Sequence, residues 1–133
     1  MGKVYKDASE VSELFGGFWQ ELLETTSFGE KLKEKSLSVK YVLKDYPEVS
    51  MYLDGDGLVI GSEANSRNAI VTLTLSGETV HKFWLKKIMV PVALAKGEIK
   101  TKGPFQKIME LMPLLKPGYA LYPKYCEKYN IPV

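Results

Sequence analysis

Val71–Leu115 reads VTLTLSGETVHKFWLKKIMVPVALAKGEIKTKGPFQKIMELMPLL, and its period changes several times. Val71, Leu73 and Leu75 alternate with Thr72 and Thr74, the pattern of a strand with one apolar face. Ser76 is a good N-cap with Thr79 in the first turn, and Val80, Phe83, Trp84 and Ile88 then recur at helical spacing. Pro91 opens another short helical turn that ends at Gly97. Glu98–Lys102 reads as a strand only five residues long between Gly97 and Gly103. A helix starting at Pro104 follows, apolar on almost every face, and Pro113 and Pro117-Gly118 punctuate its end. One short strand cannot cover the apolar surface on both sides of it, the run Ile88–Leu94 before and Phe105–Leu115 after. Two readings of the surplus stand open. Phe105, Ile108, Met109, Leu111, Met112, Leu114 and Leu115 are packed core, the default for such a stripe, or they line a cavity, where unbranched Met adapts to ligands of varied shape. Periodicity alone favours core.

Upstream, Val11, Leu14, Phe15, Phe18, Trp19, Leu22 and Leu23 predict an amphipathic helix over about residues 8–25. Gly16-Gly17 weakens that helix and leaves room for a close neighbour. Ser27 caps a second helix through about Glu34. The period then falls to two: Leu37, Val39, Tyr41 and Leu43 form one run and Val49, Met51 and Leu53 another. Asp54-Gly55-Asp56-Gly57 is a tight turn into a strand at Leu58-Val59-Ile60, and Asn65–Asn68 is a loop. The expected order is a three-stranded meander, a connection, and a fourth strand at Val71. In the tail, Tyr119–Val133, Pro123 opens the last helix.

The 133 residues suit one domain, and 45% apolar with 26% charged residues is the balance of a globular chain. Seventeen Lys, one Arg and a net charge of +2 argue against nucleic acid as a partner, which asks for a stronger basic excess and for Arg forks. No apolar stretch reaches membrane-span length, so stable membrane insertion is not expected. Met1–Lys6 has no signal-peptide hydrophobic core, and Lys6 breaks the myristoylation pattern, so the expected location is the cytoplasm.

Chemical motifs are sparse. Asp54, Asp56, Gly57 and Glu63 match part of a calcium loop, but Tyr52 stands at its first ligand position and the flanks alternate as strands, so a hairpin accounts for them. The single Cys126 permits no internal disulfide, and one Cys with one His, His81, builds no structural zinc site. His81 reads as a core-edge histidine and Cys126 as a small buried thiol, neither with a recognisable catalytic partner. No cofactor and no metal are expected.

Val71–Leu115 resembles the sterol carrier protein type 2 family, the non-specific lipid-transfer proteins. The resemblance rests on Thr72-Leu73-Thr74-Leu75 leading into a capped helix, and on Gly97-Glu-Ile-Lys-Thr-Lys-Gly103 leading into an apolar one. In the family that second segment is Gly-x-aliphatic-x-aliphatic-x-Gly; here Thr101 takes the second aliphatic place. The likeness runs more loosely back to the first helix and covers most of the chain. It implies an α+β fold: a five-stranded mixed β-sheet, helices covering one face, and an apolar tunnel between sheet and helices, all in one domain over residues 1–133. The surplus apolar surface would then be tunnel wall. The ligand-binding residues it implies are Phe18, Val71, Leu73, Leu75, Phe83, Trp84, Ile88, Val92, Ile99, Ile108, Leu111, Met112 and Leu115. The expected function is a non-catalytic carrier of a hydrophobic small molecule, fatty acyl, isoprenoid or sterol-like. The alternatives are an accessory or dimerisation module with a closed core, and an enzyme using His81 or a carboxylate.

Overall fold

Two strands from distant parts of the chain form the centre of the molecule. In the computed structural model, β1 (Val39–Leu43) runs parallel to β4 (Val71–Leu75), with Val39 opposite Val71 and Leu43 opposite Leu75. β2 (Met51–Asp54) and β3 (Gly57–Ile60) extend the sheet antiparallel on one side, and β5 (Ile99–Lys102) does so on the other. The order β3-β2-β1-β4-β5 is a five-stranded mixed sheet. The structure describes residues 4–133; residues 1–3, on which part of the N-terminal motif reading falls, lie outside the described residues.

Alternation along the strands sorts their side chains to two faces. Val39, Tyr41, Leu43, Val71, Leu73, Leu75 and Ile99 are buried on the inner face, under the helices. Lys40, Thr72 and Thr74 stand on the outer face, less buried. α1 (Ala8–Thr25) lays Val11, Leu14, Phe15, Phe18, Trp19 and Leu22 into the core, capped by Asp7, whose carboxylate accepts from the Glu10 amide at 2.9 Å. Gly17 leaves room for Tyr125 of α7 (Lys116–Lys128): a Cβ there would stand 3.1 Å from the ring. α2 (Phe28–Glu34), α4 (Gly77–Trp84), α5 (Val90–Ala95) and α6 (Phe105–Leu111) supply further buried apolar side chains, and α7 adds Leu121, Tyr122 and Cys126. Ser76 caps α4 as expected, accepting from the Thr79 amide at 3.1 Å.

The glycines around β5 have a backbone reason. Gly97 (φ 76°) and Gly103 (φ 131°) both lie where side-chain-bearing residues are strained. A Cβ on Gly103 would also collide with the Ile70 carbonyl oxygen.

Four local readings need correction. Ser27 precedes α2 but its side chain caps nothing, because its backbone (φ −83°, ψ 11°) is not extended as a capping residue requires; Thr26 Oγ1 accepts from the Phe28 amide instead. Val49 lies in a 3₁₀ turn, Pro47–Val49, so β2 starts only at Met51. Asn65 and Ser66 belong to a short helix, α3 (Ser62–Ser66), whose end is tied by the Arg67–Glu63 ion pair at 2.8 Å. Pro123 lies inside α7 rather than at its start. The helix opens at Lys116 with Pro117 in its first turn, and the burial of Leu121, Tyr122 and Cys126 holds it together across the missing Pro123 amide.

Candidate ligand cleft

β5 is an edge strand, and its inner face is only half covered. Ile99 is buried at 5% exposure, but Thr101, two residues on and facing the same way, is exposed. α5 and α6 do not close over this corner. Between them lies an open cleft of about 430 Å³, lined by Val90, Pro91, Leu94, Thr101, Phe105, Ile108, Met109, Met112 and Tyr119. The volume falls within the roughly 300–1,000 Å³ of small-molecule sites. Apart from the Thr101 hydroxyl and the Tyr119 phenol its side chains are apolar, and none carries a formal charge.

The apolar surplus of α6 resolves into two stripes. Leu111 is fully buried and Ile108 nearly so. Phe105, Met109 and Met112, spaced i, i+4, i+7, line the cleft, with Phe105 75% and Met109 53% exposed. Ile108, though buried, also borders the cleft, so the two stripes meet there.

Beneath the cleft the space between sheet and helices is packed. A void of about 20 Å³ remains there, lined by Tyr41, Leu73, Leu75, Val80, Phe83, Trp84, Val90, Ile99 and Met112. Val90 and Met112 line both spaces.

The thirteen side chains implied by the resemblance separate accordingly. Ile108 and Met112 line the cleft, while Leu73, Leu75, Phe83, Trp84, Ile99 and again Met112 line the inner void. Phe18, Val71, Leu111 and Leu115 are buried core, and Ile88 packs against that core, half-buried. Val92 is 43% exposed and lines neither space, because it turns away from the face of α5 that carries Val90 and Leu94. Phe105 and Met109, offered by the sequence as core or cavity wall but absent from the implied ligand contacts, line the cleft, as do Val90, Pro91, Leu94, Thr101 and Tyr119, which were not anticipated there. The signal for two of them, Phe105 and Met109, was present in their helical spacing with Met112. Nothing in the spacing of Tyr119 brings it back over α4, where it meets Phe83 and Trp84 with ring centroids 5.7 Å apart in each case.

Two polar features lie within this apolar setting. Tyr5 Oη and Tyr122 Oη are 2.6 Å apart, Tyr122 Oη is 2.7 Å from His81 Nδ1, and His81 Nε2 is 2.9 Å from the Pro132 carbonyl. The carbonyl can only accept, so neutral His81 carries its proton on Nε2, and the hydroxyls donate in sequence from Tyr5 to Tyr122 to Nδ1. His81, read from the sequence as having no partner, is thus held at both ring nitrogens. Burial pulls its pKa down, only partly opposed by the Pro132 carbonyl, with nearby Lys87 adding to the fall. Burial likewise pushes the Cys126 thiol up, which disfavours the reactive thiolate.

The second feature is unsatisfied. Trp19 Nε1, Tyr41 Oη and Trp84 Nε1 are buried with no hydrogen-bond partner in the protein, at a cost of about 1–3 kcal/mol each. Their rings touch, with Trp19 4.9 Å from Tyr41 and 5.5 Å from Trp84 between centroids. Burial pushes the Tyr41 phenol far above its ordinary value.

Among the described residues no group of three or more His, Cys, Asp or Glu could hold a metal ion, and no helix is long and apolar enough to cross a membrane.

No protein-family model matches the sequence, and no curated protein matches it. Solved structures do. Sterol carrier protein 2 from Yarrowia lipolytica, in its apo form, superimposes with a TM-score of 0.60 over 97% of this chain and 99% of that one, at 19% identity. The sterol carrier protein domain 2 of Helicoverpa armigera gives 0.61 over 80% and 86%, at 17% identity. The chain therefore has the sterol carrier protein 2 fold, the five-stranded mixed sheet with helices that the resemblance implied. It also aligns, at 25% identity and a TM-score of 0.46, with the sec-alkylsulfatase Pisa1 from Pseudomonas sp., spanning only 12% of that enzyme's length and 59% of its own.

Proposed function

We propose that this chain is a single carrier domain that holds a hydrophobic ligand (fatty acyl, isoprenoid or sterol-like) without transforming it. The observation that carries this reading is the open, uncharged cleft at the β5 edge, in a fold shared with proteins named sterol carriers. An apolar chain laid along Phe105, Ile108, Met109 and Met112 leaves water at about 0.8 kcal/mol per methylene, so affinity comes from area and specificity is loose. Met109 and Met112, unbranched, adapt their side chains to different ligand shapes. The site residues in this reading are the cleft side chains, with those of the inner void as a deeper wall.

The test is native mass spectrometry of the purified protein followed by solvent extraction. A retained lipid, or saturable displacement of a fluorescent fatty acid, is the expected result. A protein that retains nothing and binds no hydrophobic probe would overturn the reading.

The exposure of Phe105 and Met109 also favours a second reading, a non-catalytic accessory or dimerisation module that covers this corner with protein. Sedimentation separates the two: a concentration-dependent dimer lost in Phe105→Ser would favour the module.

A further inference from the structure

We propose that the corner carrying the cleft is a docking surface for a negatively charged lipid bilayer, on which the protein lies with the mouth of the cleft against the membrane. This goes beyond the carrier reading, because it rests on side chains that line neither the cleft nor the inner void.

The first observation is apolar surface that a ligand in the cleft would leave bare. Met89, just before α5, is 70% exposed and Val92 on α5 is 43% exposed, and neither lines the cleft. Leu94, Phe105 and Met109, also exposed, stand around the cleft itself. The other large apolar side chains left exposed among the described residues are Ile70 and Val133. Such a concentration at one corner marks an interaction surface, where single scattered apolar residues would not.

The second observation is charge. Residues 85–120, which supply α5, β5 and α6, carry seven Lys and two Glu, whereas the rest of the chain carries eleven Lys and Arg against fourteen Asp and Glu. Lys107 donates to the Lys35 carbonyl at 2.9 Å and pairs with Glu110 at 3.7 Å. The other six Lys of the segment are exposed, and Glu98 is its remaining acid. Lys86 marks the rim of the cleft directly, with Nζ 5.4 Å from the centre of the Tyr119 ring. Lys116 stands one turn before Tyr119 on α7, and Lys96 follows Leu94 at the end of α5.

Together the two observations decide the occupant. A second copy of the chain would bring the same excess of Lys against itself, and the cores of protein interfaces are depleted in Lys. A bilayer with anionic head groups matches both features. Met89 and Val92 enter the head-group boundary, while the lysine stems lie along apolar surface and leave their ammonium groups among the phosphates. A hydrophobic ligand then passes between bilayer and cleft without crossing water.

The test is flotation, without added ligand, on vesicles of phosphatidylcholine and on vesicles in which about one third of that lipid is replaced by phosphatidylserine. Wild type should bind the anionic vesicles about tenfold or more tightly than the neutral ones, and added salt should weaken that binding. Lys86→Gln with Lys96→Gln should lose about tenfold or more on anionic vesicles, at about fivefold per Lys. Met89→Ser with Val92→Ser should lose about tenfold through the lost apolar area, while keeping its affinity for a fluorescent fatty acid in solution. Folding should survive, because all four side chains are exposed and Ser suits the extended N-cap position of Met89. Thermal melts check this, and the Lys pair decides the question by itself.

Equal binding to the two kinds of vesicle, or binding to neither, overturns the docking surface. So does full retention of vesicle binding in the Lys pair. A wild-type dimer in sedimentation that Met89→Ser with Val92→Ser dissolves would assign the surface to a second copy and also overturn it. Uptake of fatty acid in the absence of vesicles reports on the carrier reading alone, so a protein that takes up fatty acid and ignores anionic vesicles loses the docking surface and remains a carrier.

Discussion

His81 is the single histidine of the chain, and its surroundings determine the sign of its effect on stability near neutral pH. Its folded pKa lies below the ordinary 6.5, chiefly through burial. As pH falls through about 6.5 the unfolded chain takes up a proton that the folded ring refuses, so stability falls with pH until the lowered folded pKa is reached. Protonation would also put donors on both ring nitrogens and reverse the hydroxyl chain, leaving Tyr5 Oη to donate to no new acceptor among its present partners. Thermal melts between about pH 7 and pH 5 should show a falling midpoint in wild type and a shallower fall in His81→Gln. That variant should begin about 1–3 kcal/mol less stable at neutral pH, because it breaks a buried network. Parallel slopes for the two proteins would show that the acid sensitivity belongs to other groups. At the alkaline end the tyrosines act in the opposite direction. Tyr5, Tyr41 and Tyr122 are pushed far up by burial and Tyr125 up to about 12, so above about pH 10 the unfolded chain releases protons that the folded one keeps, and stability falls as pH rises. The sequence made the core-edge position of His81 legible through Val80, Phe83 and Trp84. Its partners were not legible, since Tyr122 and Pro132 lie 41 and 51 residues away and no local period encodes contacts at that range.

At the scale of elements, the junction between α6 and the 3₁₀ turn Met112–Leu115 separates stability from binding between adjacent residues. Leu111 is fully buried, so Leu111→Ala should cost about 2–5 kcal/mol, read by chemical denaturation. Met112, half-buried between cleft and void, is different. Met112→Trp has open volume to grow into, so it should cost less than about 1 kcal/mol instead of the 1–3 kcal/mol of overpacking, yet abolish displacement of a fluorescent fatty acid. If Met112→Trp unfolds the protein, the cleft does not accommodate the larger side chain and is a poor place for a ligand. The boundaries of α1 and β4 could be read closely from period and capping, whereas the helical stripe read through Ile88 outruns α4, which ends at Trp84, and β5 begins at Ile99, one residue after the reading. Ser27 and Pro123 misled for one reason: residue type states what a position permits, whereas backbone geometry and packing decide whether it is used. Thr101 was visible as a departure from the aliphatic pattern, and the structure gives it a consequence, since it stands on the inner face at a corner that α5 and α6 leave open.

At the scale of the whole molecule, the order of strands and helices was legible, while the distinction between core and cleft along the same apolar stretch was not. Hydrophobicity marks a side chain as unwelcome in water but does not say whether protein or ligand covers it. A melting experiment on the intact protein supplies that missing distinction. A ligand that binds only the folded state stabilises it by RT ln(1 + [L]/Kd), about 2.7 kcal/mol at a hundredfold excess over Kd. For a chain of this length that corresponds to roughly 8–12 °C in the melting midpoint. A saturating hydrophobic ligand should therefore raise the midpoint of wild type by about that much and leave that of Met112→Trp nearly unchanged. If protein instead covers Phe105 and Met109, the midpoint should rise with protein concentration and ignore the ligand, because the stabilising partner is then a second chain. The two covers depend on different concentrations, so one matrix of melts, varying protein along one axis and a hydrophobic ligand along the other, decides between carrier and module.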